Sequence, residues 1–116
     1  SPFDPKTGAD LQPAPKETYS GAIIDELERL IEAGTPIAAI NAAIPGAFDL
    51  KRFEKKYPDR YFDVGIAEQM SVSSDEAMAQ AGLRPVLFEN SPFLQRAYDE
   101  LSHDVALNND PATLLV

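Results

Sequence analysis

Four short apolar runs alternate with stretches whose apolar residues recur at helical spacing, and this order is the strongest constraint on the fold. The runs lie near residues 36–41, 61–64, 85–89 and 112–116. Short continuous apolar runs are typical of buried parallel strands. A strand–helix alternation favours parallel pairing with right-handed crossovers. We therefore predict an α/β fold: a three-layer parallel sheet of about four strands with crossover helices.

The first two helices are predicted from spacing and capping residues. The first has Thr18 or Ser20 as its cap and ends at Gly34. Its apolar face is formed by Ile23, Ile24, Leu27, Leu30 and Ile31. The second runs from Leu50 to Tyr57 with Asp49 as its N-cap. It carries a basic patch that we interpret as a solvated face: Lys51, Arg52, Lys55 and Lys56.

The other two helices follow the second and third strands. The third ends at Gly82, and four residues at helical spacing are predicted to hold it on the sheet: Ile66, Met70, Ala77 and Ala81. The fourth has Ser91 as N-cap before Pro92 in the first helical position and runs to about Asn108. Its inward residues are predicted to be Leu94, Tyr98, Leu101 and Val105, with Ala97 as a further candidate.

The N-terminal segment has a different composition from the rest of the chain. Residues 1–17 contain Pro2, Pro5, Pro13, Pro15 and Gly8 without apolar periodicity, which predicts an extended arm or linker. The remaining residues, 18–116, have the size of one domain.

Charge and residue usage exclude several classes of function. Ten Lys and Arg against nineteen Asp and Glu give a net charge of −9, which argues against a nucleic-acid partner. There is no cysteine for a disulfide, a zinc site or a thiol nucleophile, and the single histidine, His103, cannot build a multi-histidine metal site. No apolar run approaches the ~20 residues of a membrane span. The expectation is a soluble cytoplasmic protein with no membrane partner and no metal ligands of its own.

Glu68 is the leading candidate for a functional side chain. It lies in the first helical turn after the strand at residues 61–64, and ligands of open α/β sheets bind at the carboxyl ends of strands. A carboxylate in a first helical turn also complements the helix dipole without any ligand. The pattern alone leaves both interpretations open.

Two segments carry a resemblance to a known family. PDRYFDVGIAEQ occupies residues 58–69, and FLQRAYD occupies residues 93–99 with HDVAL at residues 103–107. At this order and spacing they resemble the 1-deoxy-D-xylulose-5-phosphate synthases, which are thiamine-diphosphate-dependent, transketolase-like enzymes. The resemblance covers residues 19–116 and implies that residues 18–116 are part of a pyrimidine-binding domain, a partial thiamine-diphosphate-binding fold.

The resemblance implies a role for three residues. Glu68 would be catalytic and cofactor-binding, because the family's glutamate bonds a ring nitrogen of the cofactor's aminopyrimidine. Phe93 would stack on that ring, although its pattern alone fits a core aromatic residue. Arg96 would bind the substrate phosphate, although its pattern alone fits a surface arginine. The full-length family uses thiamine diphosphate with Mg²⁺ and condenses pyruvate with glyceraldehyde 3-phosphate for isoprenoid and thiamine precursors.

The chain also departs from the family pattern. The Gly-Asp-Gly segment that holds Mg²⁺ and diphosphate lies in another domain of the family, so the implied partner is the missing diphosphate-binding domain or a second chain. Three interpretations stay open: a fragment inactive alone, a subunit of a split enzyme, and an α/β binding or scaffold module that has lost the cofactor. Polar residues replace a small apolar run at Ser74, Asp75 and Glu76, and we predict that they face solvent.

Overall fold

A computed structural model describes residues 2–11 and 17–116, and its centre is a parallel β-sheet. Its strands are β1 (Ile37–Asn41), β2 (Tyr61–Asp63), β3 (Arg84–Phe88) and β4 (Thr113–Leu115). Within the described residues the strand order is β2-β1-β3-β4, and every pairing is parallel. The predicted four-stranded parallel sheet is confirmed. Strands β1, β2 and β4 are shorter than their apolar runs, and β3 has the predicted length but begins and ends one residue earlier.

Helices cover both faces of the sheet. They are α1 (Tyr19–Glu32), α2 (Leu50–Lys56), α3 (Glu68–Gln80), α4 (Ser91–Leu94) and α5 (Tyr98–Glu100). A 3-10 turn at Pro58–Arg60 precedes β2, another at Gln95–Ala97 joins α4 to α5, and a π-helical segment at Leu101–Ala106 continues α5. None of the helices in the described part of the chain combines the length and apolar character that a bilayer span requires.

The core consists of two layers of side chains, one on each face of the sheet. Helices α1 and α2 pack on one face, with a buried cluster of Ile24, Leu27, Ile37, Ala39, Leu50, Phe53, Val86 and Phe88. Helix α3 and the segment from α4 onward pack on the other face, with a buried cluster of Ile40, Val72, Leu87 and Ala97. Successive strand residues alternate between the two clusters because side chains alternate across a strand. The predicted three-layer arrangement is confirmed.

The two helices on this face of the sheet, α1 and α2, begin differently. Thr18 caps α1 as predicted, with its side-chain oxygen accepting from the backbone N–H of Gly21. Asp49 occupies the predicted N-cap position of α2, but its side chain makes no capping hydrogen bond. Its backbone is left-handed (φ 56°), and its carboxylate lies 3.5 Å from the Arg52 Nε instead.

The basic patch on α2 is solvent-exposed as predicted, but two of its cations have partners on α1. The Arg52 Nη2 lies 2.6 Å from the Asp25 Oδ1, and the Lys56 Nζ lies 2.6 Å from the Glu28 Oε2. These pairs cross between the two helices that cover the same face of the sheet. Exposed ion pairs of this kind typically contribute below about 1 kcal/mol each, so the apolar cluster beneath them carries the packing.

The orientation predicted for α3 is wrong. All four residues expected to face the sheet are exposed, with Ile66 at 80% and Met70 at 58%. The buried residues of α3 are Glu68, Ser71, Val72, Asp75 and Ala79. The helix begins at Glu68, whose carboxylate accepts from Arg96, and Val72 on the same side of the helix belongs to the core cluster.

Asp75 is buried, which contradicts the predicted solvent exposure of the segment at residues 74–76. Its exposed fraction is 1%, and neither carboxylate oxygen has a hydrogen-bond partner among the described residues. Burial raises the pKa of Asp75 to about 7. Ser74 and Glu76 are half-buried. The segment at residues 74–76 therefore does not face solvent as a whole, because the carboxylate of Asp75 lies in the core.

The C-terminal helical region is less regular than predicted. Asn90, not Ser91, occupies the N-cap position, because its extended backbone (φ −79°, ψ 136°) precedes a helix that already includes Ser91. The 3-10 and π turns change the rotation per residue. As a result Ala97 is fully buried as expected, whereas Tyr98 is 71% exposed and does not face inward.

Part of the predicted N-terminal arm lies outside the described residues, namely residue 1 and residues 12–16. Within residues 2–11 the chain reverses, and Phe3 and Asp10 form an isolated antiparallel bridge. The division into an arm at residues 1–17 and a domain at residues 18–116 stays a prediction.

Candidate functional site

A cavity of about 290 Å³ lies at the carboxyl ends of β1, β2 and β3. Its lining comes from the loops that follow these strands: Ala42, Ala43 and Ile44 after β1, Ile66 and Glu68 after β2, and Phe93 and Arg96 after β3. This edge of an open α/β sheet is where ligands bind. The structure therefore brings together all three residues singled out in the sequence, since Glu68, Phe93 and Arg96 line one cavity.

Glu68 and Arg96 form an ion pair in this cavity. The Arg96 Nη1 donates to the Glu68 Oε1 at 3.0 Å. The side chain of Glu68 is 5% exposed and that of Arg96 is 53% exposed, so a buried carboxylate meets a guanidinium that remains open to solvent. Such charge-assisted bonds are about twice as strong as neutral ones. The first-turn position of Glu68 also fits the helix-dipole interpretation, so the contact supports both interpretations.

Phe93 is a surface residue of the cavity and not a core aromatic residue. It is 39% exposed, and it lies in α4 directly after the end of β3. A partly exposed ring in a cavity wall presents a flat apolar face that can stack on a planar ligand.

The loops beside the cavity are fixed by Asp63, which the sequence analysis did not select. Its Oδ1 accepts from the backbone N–H groups of Ala43 at 3.0 Å and Gly65 at 2.9 Å. Its Oδ2 accepts from the Nδ2 of Asn41 at 3.1 Å, and the Asn41 Oδ1 accepts from the Ile44 N–H at 3.1 Å. One carboxylate thus ties the loop after β1 to the loop after β2. The sequence signal was a polar residue in two successive apolar runs, with Asn41 at the end of the first and Asp63 next to the end of the second.

This network holds Ala43 in a left-handed conformation with φ 60°. That conformation costs a non-glycine residue roughly 1–2 kcal/mol. We expect Ala43→Gly to raise the free energy of unfolding by about 0.5–1 kcal/mol, because relief of the strain exceeds the added chain entropy of glycine. Urea unfolding followed by circular dichroism measures the change. The control is Ala42→Gly, because Ala42 is buried and its backbone does not have a positive φ. Equal destabilisation by the two substitutions would contradict the strain argument.

Glu89 is a second buried carboxylate near the site, and it was also missed in the sequence. It follows β3 directly and is 1% exposed. Its Oε1 accepts from the Asn90 N–H at 2.9 Å, whereas its Oε2 has no partner among the described residues. Burial raises the pKa of Glu89, the Asn90 hydrogen bond opposes that shift, and the charges of Glu68 and Arg96 act on it in opposite directions. A charged residue ending the apolar run at residues 85–89 was the available signal.

Comparisons with known proteins agree on one family. Residues 16–116 match the sequence profile described as "Transketolase, pyrimidine binding domain". The chain is 46% identical over 116 residues to the 1-deoxy-D-xylulose-5-phosphate synthase of Symbiobacterium thermophilum, covering 99% of this chain and 17% of that protein. It is 45% identical over 111 residues to 1-deoxy-D-xylulose-5-phosphate synthase 1 of Geobacter sulfurreducens, covering 95% and 17%. The chain thus spans about one sixth of the length of these relatives.

Proposed function

The chain belongs to the transketolase pyrimidine-binding domain family, and from this premise we propose that it binds the aminopyrimidine ring of thiamine diphosphate. The observation that carries the proposal is the buried carboxylate of Glu68 in a cavity at the carboxyl edge of the sheet. A single carboxylate beside a ring nitrogen is sufficient for this contact. Relatives that match 98–99% of this chain are 1-deoxy-D-xylulose-5-phosphate synthases.

The size and lining of the cavity fit one ring. Its volume of about 290 Å³ is at the lower limit of the ~300–1,000 Å³ of drug-sized ligand pockets. Glu68 offers an acceptor to a ring N–H, and Phe93 offers a face for stacking. One hydrogen bond and one stacked ring supply only a few kcal/mol before the cost of association. We therefore propose that a diphosphate-binding partner, holding Mg²⁺, is needed for firm binding.

In the proposed reaction the residues of this chain bind and orient the cofactor. Thiamine diphosphate, when bound, supplies the carbanion stabilisation that joins pyruvate to glyceraldehyde 3-phosphate. Glu68 holds the ring nitrogen and exchanges a proton with it through its carboxylate. Arg96 has a half-exposed guanidinium at the mouth of the cavity, where a planar fork suits a phosphate group. We propose that it binds the substrate phosphate.

The test is complementation. A second chain is prepared from the Symbiobacterium thermophilum synthase by deleting the segment that matches this chain, and we call it the complementing remainder. We expect no 1-deoxy-D-xylulose 5-phosphate from the isolated chain and measurable product when both chains, thiamine diphosphate and Mg²⁺ are mixed. The matched control supplies the synthase's own segment as a separate chain.

Three outcomes separate the open interpretations. Product from the isolated chain above the level of its Glu68→Gln variant would contradict the need for a partner. Product that forms only in the mixture supports the interpretation that this chain is active together with a second chain. If the control mixture is active, and this chain gives neither product nor a calorimetric signal with thiamine diphosphate, the proposal fails in favour of an α/β module that has lost the cofactor.

A further inference from the structure

Glu89 is a buried carboxylate that the proposed function does not use. It is 1% exposed, and one of its oxygens has no partner among the described residues. We propose that Glu89 is a second binding position for the Arg96 guanidinium, occupied when Glu68 releases Arg96 to bind a ligand. Glu89 is then a positioning residue that acts through Arg96. The inference rests on the proposed function for its ligand, since it assumes that Glu68 binds a ring nitrogen.

The strand register places Glu89 on the same side of the sheet as the ion pair. Val86 and Phe88 point into the cluster under α1 and α2, whereas Leu87 points into the cluster under α3. The parallel ladder continues for one residue beyond β3, because the Glu89 N–H donates to the Leu115 carbonyl at 3.0 Å. Side chains alternate along a strand, so Glu89 shares the face of Leu87. Glu68 and Arg96 approach from that face.

Near the site, the described residues on this face of the sheet include more buried carboxylates than guanidinium groups to pair with them. Two buried carboxylates, Glu68 and Glu89, share one guanidinium, and among the described residues that guanidinium binds only the Oε1 of Glu68. Arginine has five N–H donors, and the Arg96 side chain is 53% exposed, so it keeps donors for a second acceptor and is not enclosed by packing. Attraction by Arg96 lowers the pKa of Glu89, and repulsion by Glu68 raises it, so both groups are within electrostatic reach.

With Glu89 as an alternative acceptor for Arg96, a ligand needs less free energy to displace Arg96 from Glu68. A ligand that takes the Glu68 carboxylate must displace a charge-assisted hydrogen bond. If Arg96 did not move to Glu89, the displaced guanidinium would return to solvent, and the Glu89 Oε2 would stay without a partner among the described residues. With Glu89, one ion pair replaces the other, and the orphaned oxygen gains a donor. Arg96 on Glu68 is then one arrangement, and Arg96 on Glu89 is the arrangement that leaves Glu68 available, with further guanidinium N–H donors left for the substrate phosphate.

A double-mutant cycle tests the exchange without any ligand. The cycle combines Arg96→Met with Glu89→Gln, and the unfolding equilibrium constant is measured for each variant. It is carried out twice, once with Glu68 present and once in the Glu68→Gln background, which removes the Glu68 charge. We expect a coupling factor below about twofold with Glu68 present and of about tenfold or more in the Glu68→Gln background, within the range measured for contacting charged pairs. An unchanged coupling factor would overturn the proposal. The control cycle replaces Arg96→Met by Arg29→Met, because Arg29 pairs with Glu26 on exposed α1, and it should be additive in both backgrounds.

A second measurement separates the exchange from general destabilisation. The solvent exchange of the Arg96 guanidinium protons is followed by NMR in the folded chain. We expect slow exchange in the wild type and in Glu68→Gln, and exchange about tenfold faster in the Glu68→Gln, Glu89→Gln double variant, because only the latter lacks both acceptors. Equally fast exchange in Glu68→Gln alone would refute the second binding position. Neither measurement uses thiamine diphosphate, so failure of the complementation test leaves this result unaffected, and the reverse also holds.

Discussion

Replacing Asp75 by alanine raises the free energy of unfolding at pH 7 by about 2–4 kcal/mol. The wild-type carboxyl is buried without a hydrogen-bond partner among the described residues, and its pKa is raised to about 7 from an ordinary 3.8. Each pKa unit corresponds to about 1.4 kcal/mol, so the unfavourable charge accounts for up to about 4 kcal/mol. Alanine removes the polar group and adds helix propensity. Urea unfolding at several pH values measures the gain.

The pH dependence has a definite sign. Between about pH 4 and 7 the folded state keeps the Asp75 proton that the unfolded state has released, so rising pH favours unfolding through this group. Below that window both states are protonated, and above it both are ionised. The stability difference between Asp75→Ala and wild type should therefore grow from about pH 4 to 7 and then level off. The control, Glu54→Ala, removes an exposed carboxylate on α2 and should change little. A difference that is constant across this range would refute a buried titrating Asp75.

Glu68→Gln should lower the rate of 1-deoxy-D-xylulose 5-phosphate formation in the complemented mixture by about 10²–10³-fold. Proton transfer by a positioned side chain contributes about 10²–10⁴-fold to catalysis, and an amide can hold the ring nitrogen without exchanging its proton. The substitution keeps the shape of the side chain, so assembly with the complementing remainder should persist. Initial rates at saturating cofactor measure the effect.

The matched control for this experiment is Glu76→Gln on the same helix. Glu76 is half-buried and lies outside the cavity lining, and its carboxylate contacts Gln80 and Asn108. We expect less than about a twofold change in rate from this variant. Equal losses from the two substitutions would mean that Glu68 acts through the fold of α3 and not at the cofactor.

The sheet was predictable because its signal is local and strong. The roles of Glu68, Phe93 and Arg96 came from the resemblance, since their pattern alone also fits a helix-dipole carboxylate, a core aromatic residue and a surface arginine. Apolar runs specify buried strands, and polar residues that follow parallel strands meet at one edge of the sheet. Glu68, Phe93 and Arg96 therefore fall in one cavity. Their partnership could not be predicted, because the pairing of Arg96 with Glu68 depends on how the segment after β3 crosses the start of α3.

The orientation of α3 was not predictable from its apolar residues. The helix is rich in serine and acidic residues, so alternative faces differ little in apolar area. Its buried side carries Val72 and Ala79 together with Glu68, whose carboxylate accepts from Arg96. Asp75 consequently occupies a core position that any pattern of hydrophobicity assigns to solvent. Glu89 was missed because a carboxylate that ends an apolar run fits a solvent-exposed strand end as well as a buried one, so this signal did not predict its burial.

The strand order also has a consequence for the rate of folding. β1 lies between β2 and β3, and both of these neighbours follow it along the chain. No adjacent pair can form as a hairpin, so each pairing must close a long loop before any sheet contact is gained. Folds dominated by such non-local contacts fold slowly for their size. During this delay the apolar β1 has no partner strand and is open to association with other unfolded chains.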